Sequence, residues 1–519
     1  MNFLVKGKCE KLRNMSLINT FIINNLPIQY NYINKKRGFL MKLEKHNLLK
    51  IREDCRNLIF VDQNFNICME AIKINGESLK YIKWKRIKNR MTSEELEKLC
   101  IEGVKYQGLN LEFIDLKQLI DKLSNRQLYN IYTKAVKENG KALEYVILDG
   151  LTEMQIENIF LIAVRQDGDA LQYINNQSYE ICIESVKKYS WSIQYVNWDE
   201  LNLAKEQIYN LWIEAVKKYG SALIYIKWSK LKDKLSDEQI NEICLIAVRQ
   251  EGSALKFVKE QTPEICIEAV KKDENALKYV NRDILSKEQV YKLYLIAIRR
   301  NGSTLEYVEE QTEELCKEAV IQNGYALKFV KNQTVEICVE AVKEDGNALK
   351  FVDAQTKEMC LIAVKQNGNA LKYVKEQTEE ICVEAVRQNG LALVFVNNQT
   401  AKICLEAVKQ NGLYLKHVKW DELRGKFSNE QLDEICIKAI RKSPMVLQYI
   451  ENQTEEMCLI AVKKDGLALK DVDNQTEKIC LEAMNENPLS FYSIRRKEVK
   501  FTKKNLLKMY IKLIKYKLF

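Results

Sequence analysis

Residues 333–354 read Q-T-V-E-I-C-V-E-A-V-K-E-D-G-N-A-L-K-F-V-D-A, and residues 355–376 read Q-T-K-E-M-C-L-I-A-V-K-Q-N-G-N-A-L-K-Y-V-K-E. The frame returns after 22 residues. Self-similarity at a short fixed period marks an array in which each copy is one supersecondary unit, too small to bury its apolar face alone. With the cysteine as position zero, seventeen copies run from Cys68 to Cys480. Nine of the sixteen intervals are 22 residues and the other seven are 28, 30 or 32, so one frame accommodates insertions. A degraded earlier copy spans about Asn47 to Val61.

The copies form an internal alignment that shows what each position tolerates. Position −1 is always Ile, Leu or Met, and position +3 is Ala in fifteen copies, with Gly103 and Ser185 completing the set. Position +4 is always Val, Ile or Met, position +11 is Leu in fifteen copies, and position +14 is always Val or Ile. Apolar sites at −1, 0, +3 and +4 have helical spacing. The first helix should run for about ten residues from the Gln-Thr dipeptide. Its start carries an N-cap, as at Thr262 before Pro263. Longer copies carry capping-box pairs, such as Ser236 with Gln239 and Ser428 with Gln431. Gly at +8 in thirteen copies predicts a helix stop by the left-handed conformation. A short second helix follows, carrying A-L-x-Y-V. The small residue at +3 lets helices of adjacent copies approach closely, as a stacked solenoid requires.

These readings predict an all-α fold, an α-solenoid of short helix-turn-helix repeats. Residues 1–43 form a basic non-repeat region, 44–494 the array of seventeen or eighteen repeats, and 495–519 a basic amphipathic C-terminal helix. Four of the longer intervals open with W-x-x-I or W-x-x-L, at Trp84, Trp198, Trp228 and Trp420. The added residues should lengthen the second helix and the start of the next first helix.

Charge separates the array from its ends. The net charge of +10 comprises +7 in residues 1–54, +9 in 495–519 and −6 between them. A basic groove along the repeats therefore does not follow from the overall charge. The N-terminus lacks the continuous apolar core of a signal peptide, and no run reaches the roughly 18 apolar residues of a membrane span. The expectation is a cytoplasmic protein.

Thirteen of the fifteen cysteines occupy position zero, where other copies place Tyr132, Phe160, Trp212 and Tyr294. Aromatic replacements fit a packing site and not a metal ligand, and Cys behaves as a small buried hydrophobe. The two histidines, His46 and His417, have no triad partners, and His417 stands where other copies have Tyr or Phe. Nucleotide-binding and zinc-hydrolase motifs are absent from the sequence. No catalytic residue, metal ligand, cofactor or small-molecule substrate is expected, and the chain is not expected to be an enzyme. The N-Q-T triplets, as at 332–334, recur because Gln-Thr opens each helix.

Two features could carry binding. Position +5 is Lys or Arg in fifteen copies, and the ladder includes Lys271, Arg299, Lys343, Lys365, Arg387, Lys409, Arg441 and Lys463. Stacked, these cations could grip phosphate or an acidic partner. They also sit in the last turn of the first helix, where cations favour the macrodipole, and Glu at +2 supplies i,i+3 partners in ten copies. The second feature is the tail, where Lys504, Lys508, Lys512 and Lys515 line one side of a helix whose remaining sides are largely apolar. It could shield the last repeat, or dock on an anionic membrane or partner.

The unit opened by Q-T-E-E-I-C and closed by N-G-x-A-L-K-Y-V resembles the repeats of an uncharacterised family, a domain of unknown function. Its repeats are frequent in giant amoeba viruses of the mimivirus kind and occur in some amoeba-associated bacteria. Cys338, Ala341, Val342, Gly346, Leu349 and Val352 carry the resemblance, which covers about 60–494. It implies no activity, cofactor or catalytic residue, and it implies a viral or host-interaction setting. The abundance of Lys, Asn and Ile, as AT-rich genomes encode, agrees with that setting. The expected function is a non-enzymatic scaffold for protein–protein interaction. The alternative is binding of nucleic acid or an anionic membrane through the ladder or the basic termini.

Overall fold

The structure, a computed structural model, describes residues 42–518, with side chains to 516. Most of the basic N-terminal region, with Cys9, therefore lies outside the described residues. The chain divides into two compact units, Met1–Glu260 and Gln261–Phe519. Each is an all-α solenoid in which α-helices stack on α-helices and 3-10 helices on 3-10 helices. Among the described residues there is no strand.

One repeat of the second unit shows how the sequence makes the element. Thr334 caps the α-helix Val335–Glu344, its side-chain oxygen accepting from the Ile337 amide. Ile337, Cys338, Ala341 and Val342 are buried on one face. Asp345 then turns extended, at φ −139° and ψ 114°. Its N–H still reaches the Ala341 carbonyl, and its carboxylate accepts from Asn347 N at the start of the 3-10 helix Gly346–Phe351. Ala348 and Leu349 are buried, and Val352 closes the repeat in extended conformation.

The second helix of every array repeat in both units is thus a six-residue 3-10 helix. In this geometry residues three apart eclipse one another. Positions +10 and +11 consequently face the core, while +9 and +12 face outward together.

The +8 glycines correct a sequence expectation. Among the described residues only Gly150 (φ 83°) and Gly425 (φ 89°) have positive φ. The extended residue at +7 ends the α-helix. At Gly346 and Gly368 close approach favours glycine: a Cβ on Gly346 would lie 2.4 Å from the Ala363 carbonyl oxygen of the next repeat, and one on Gly368 2.4 Å from that of Ala385. Pro444 and Pro488 at the same site begin 3-10 helices, where an absent N–H costs little.

Insertions also depart from expectation. The 3-10 helix keeps its length, and the added residues form separate short α-helices, Trp84–Ile87 and Trp228–Lys232 in the first unit and Trp420–Leu423 in the second. At Trp198 they form turns only. The next α-helix does gain a turn, as in Asp237–Gln250 and Asn429–Lys442, both opened by capping boxes. No helix among the described residues is long and apolar enough to cross a membrane.

Candidate functional site

Two glutamines hold the repeats in register, a role that sequence reasoning did not assign to either. The Gln at −5 closes its own repeat. Gln333 Nε2 donates to the Phe351 carbonyl at 2.8 Å, and its Oε1 accepts from Asp353 N at 3.1 Å and Cys338 Sγ at 3.4 Å. The Gln at +6 reaches the preceding repeat. Gln366 Oε1 accepts from Gly346 N at 2.9 Å, and its Nε2 donates to the Glu344 carbonyl at 3.2 Å. Gln388 makes the same contact with Gly368 N, and Gln410 with Gly390 N. Before Gln-free sites the chemistry changes: Pro444 has no N–H to offer, and Lys464 there donates to the Lys442 carbonyl instead. The signal in the sequence was the recurrence of Gln at fixed polar positions of a buried frame.

Position-zero cysteines are buried throughout, and burial pushes the Cys404 thiol up to about 12. A thiol so raised stays protonated at neutral pH and is therefore a poor nucleophile. Among the described residues no group of His, Cys, Asp and Glu is placed to hold a metal ion. His46 is exposed on the helix spanning 42–53, and His417 ends a 3-10 helix, where burial lowers its pKa. A cleft of about 220 Å³ in the first unit lies beside Trp198 and Trp212, which stack at 5.5 Å. Lys230 and Asp199 pair at its rim, 2.5 Å apart.

The eight named residues of the +5 ladder lie in the second unit and are exposed, but most of them are paired. Lys271 meets Glu268 at 3.0 Å, Lys343 meets Glu340 at 2.8 Å, and Lys409 meets Glu406 at 2.8 Å. Arg387 meets Glu384 at 2.9 Å and Glu406 of the next repeat at 3.6 Å, and Arg299 meets Glu318 of the next repeat at 3.5 Å. Hydrogen bonding to Lys409 lowers the Glu406 pKa. At Lys365, Arg441 and Lys463 position +2 is Ile362, Lys438 and Ile460 and supplies no carboxylate. Four of these cations pair within their own repeat, and Arg299 and Arg387 reach a carboxylate of the next.

A different surface stands out on the 3-10 helices of the second unit, at positions +9 and +12. In its earlier repeats +12 is mostly lysine lying over the adjacent aromatic ring: Lys328 over Phe329 at 4.3 Å and Lys372 over Tyr373 at 4.7 Å. Lys350 lies 4.5 Å from Phe351 and also from Tyr325 of the preceding repeat, so the +9 and +12 columns adjoin. From residue 391 onward the chemistry at +9 switches from Asn, Ser or Tyr to Leu391, Leu413, Met445, Leu467 and Leu489. These five are between 38% and 48% exposed, on 3-10 helices that stack consecutively. Val394 and Tyr492 at +12 extend the strip, and Lys416 and Lys470 punctuate it. This column was present in the internal alignment as a change of residue class at one exposed position.

The tail forms the α-helix Lys503–Leu518, packed on the last repeat. Met509 and Leu513 are buried, and the Tyr510 ring meets Phe491 edge-on at 5.2 Å. Lys512 turns back onto the array, donating to the Asn485 carbonyl at 2.9 Å. Lys504, Lys508 and Lys515 remain exposed.

No curated protein matches the chain. Residues 241–286, 312–355, 334–378 and 356–400 match a domain of unknown function (DUF4116). The last three matches begin 22 residues apart, in step with the repeat, and each spans two of its copies. Within residues 241–400, therefore, the chain is similar to a repeat family of unknown function.

Proposed function

We propose that this chain is a non-enzymatic scaffold that binds another protein along the outward face of the 3-10 helices between Gly390 and Ser493. The observation that carries the reading is the column of five aliphatic side chains, Leu391 to Leu489, exposed in register on an otherwise regular buried frame. A solenoid that needed only solubility would keep Asn or Ser at +9, as the repeats at Asn347 and Asn369 do. Exposed apolar side chains aligned over several repeats favour a protein partner. Neighbouring helices pack about 8–10 Å apart, close to three residues of chain in the polyproline II conformation, which rises about 3.1 Å per residue and returns every third side chain to the same face. An extended partner segment with an apolar residue at every third position matches that pitch. The ion pairs along the +5 ladder weigh against a polyanion groove there.

The resemblance to repeats of giant amoeba viruses supports a viral or host-interaction setting for the scaffold. The unpaired thiols of the described cysteines support a reducing, cytoplasmic environment. The test is selection of displayed random peptides on the immobilised full chain. Enriched peptides should carry apolar residues three apart and lose binding by at least about tenfold to the Leu413→Asp/Leu467→Asp variant. Absence of enrichment, or binding indifferent to those substitutions, would refute the reading.

A further inference from the structure

We propose that the C-terminal helix has two working faces and that its outer face docks the chain on an anionic lipid surface. The inner face is committed to the last repeat. Besides Met509 and Leu513, Asn505 Nδ2 donates to Glu477 at 3.1 Å, and both the amide and the hydroxyl of Thr502 donate to the same carboxylate at 2.8 and 2.9 Å. A helix serving only to end the array would turn a polar side outward.

The outer face is not polar. Leu507, Ile511 and Ile514 are 62%, 45% and 55% exposed. Their spacing of i, i+4 and i+7 puts them in one row. On the same geometry Lys504, Lys508 and Lys515 lie along one flank of the row and Lys503 along the other, all four exposed. The helix contains no acidic residue, and residues 495–519 carry +9. The surface is therefore an aliphatic ridge between two cationic margins.

That pattern selects its occupant. A convex ridge needs no complementary pocket when it enters the boundary between headgroups and acyl chains, and lysines beside it keep their ammonium groups at the level of anionic headgroups. At about 24 Å the helix lies along such a surface. An acidic polypeptide would satisfy the lysines but leave the aliphatic row unserved unless it also brought a groove. The charge complementarity and the ridge together favour lipid.

The test uses the full chain and sedimentation with vesicles of phosphatidylcholine alone or enriched in phosphatidylserine. Binding should require phosphatidylserine and weaken with added salt. Leu507→Glu/Ile511→Glu and, separately, Lys504→Glu/Lys508→Glu/Lys515→Glu should each reduce it about a hundredfold. Circular dichroism and thermal melting check that each variant is folded. The milder Leu507→Ser/Ile511→Ser serves if the first is not, with an expected loss of at least about tenfold. Leu413→Asp/Leu467→Asp should leave vesicle binding intact, which separates this inference from the peptide-binding reading above. Equal binding to both vesicle types, or no binding, overturns the proposal. So does unchanged binding by the folded Leu507/Ile511 variants, and if polyglutamate then competes with the vesicles the occupant is an acidic polypeptide.

Discussion

Position +8 shows how one residue type can be legible while its reason is not. The recurrence of glycine in thirteen copies was plain, and a left-handed helix stop was the natural expectation. The stop instead belongs to the extended residue before it, such as Asp345 or Asn367, and glycine answers to a carbonyl in the next repeat. A contact with a residue 17 positions away, Gly346 against Ala363, leaves no local trace in sequence. The two origins of a glycine requirement predict different costs. Gly346→Ala should destabilise the second unit by roughly 1–3 kcal/mol, because the methyl group meets backbone that cannot swing aside. Gly425→Ala meets nothing within 4 Å and should cost only the backbone term at φ 89°, roughly 1–2 kcal/mol. Urea melts of the two variants check the ordering. A combined substitution that makes room, Gly346→Ala with Ala363→Gly, should not rescue the first, because the obstacle is the carbonyl oxygen and not the side chain.

At the scale of the element, sequence established that each copy carries two helices and which sides are buried, because Ile337, Cys338, Ala341 and Val342 repeat at helical spacing in every copy. It could not distinguish an α-helix from a 3-10 helix in the second. Over the six residues Gly346–Phe351 periods of 3.0 and 3.6 place the same apolar pair inward. That distinction sharpens the candidate surface, since the 3-10 geometry eclipses +9 with +12 where an α-helix would set them about 60° apart. The C-terminal helix was legible as amphipathic, but not which of its apolar residues face the array: both Met509 and Leu507 are large and apolar, and one is buried while the other is exposed. The packing makes a local prediction. In a stacked array each repeat is stabilised by its neighbours, so removing the last neighbour loosens the repeat beneath it. Deleting residues 503–519 should uncover Phe491 and speed alkylation of Cys480 at least about tenfold, while Cys338, several repeats away, labels at its former rate. Pulsed thiol labelling read by peptide mass spectrometry distinguishes the two sites. Equal acceleration at both would show that the helix stabilises the unit globally.

At the scale of the whole molecule, the same buried thiol recurs through both units, and repetition turns a small effect into a large one. Burial pushes Cys68, Cys182, Cys244, Cys404 and Cys436 up to about 12, from an ordinary value of 9.0. Cys266, Cys382, Cys458 and Cys480 rise to about 11. In the folded state these groups hold their protons where the unfolded chain has lost them. Their contribution to stability is therefore complete below about pH 9 and declines as pH rises through the folded values. Each such thiol weakens folding by up to about 1.4 kcal/mol per pH unit inside that window. Neither unit depends on one residue, so the loss should appear as a steep fall in melting temperature of both units between about pH 9 and 11, reversible on returning to neutral pH. Tyr132 and Tyr209, also raised to about 12, would add to it, and a variant separates the contributions. Cys404→Ala costs stability at neutral pH by leaving a small cavity, yet it should flatten the alkaline slope, because the site no longer holds a proton that the unfolded chain gives up. Melting curves of the wild type and the variant across that range decide the matter: parallel slopes would show that the thiols do not drive alkaline unfolding.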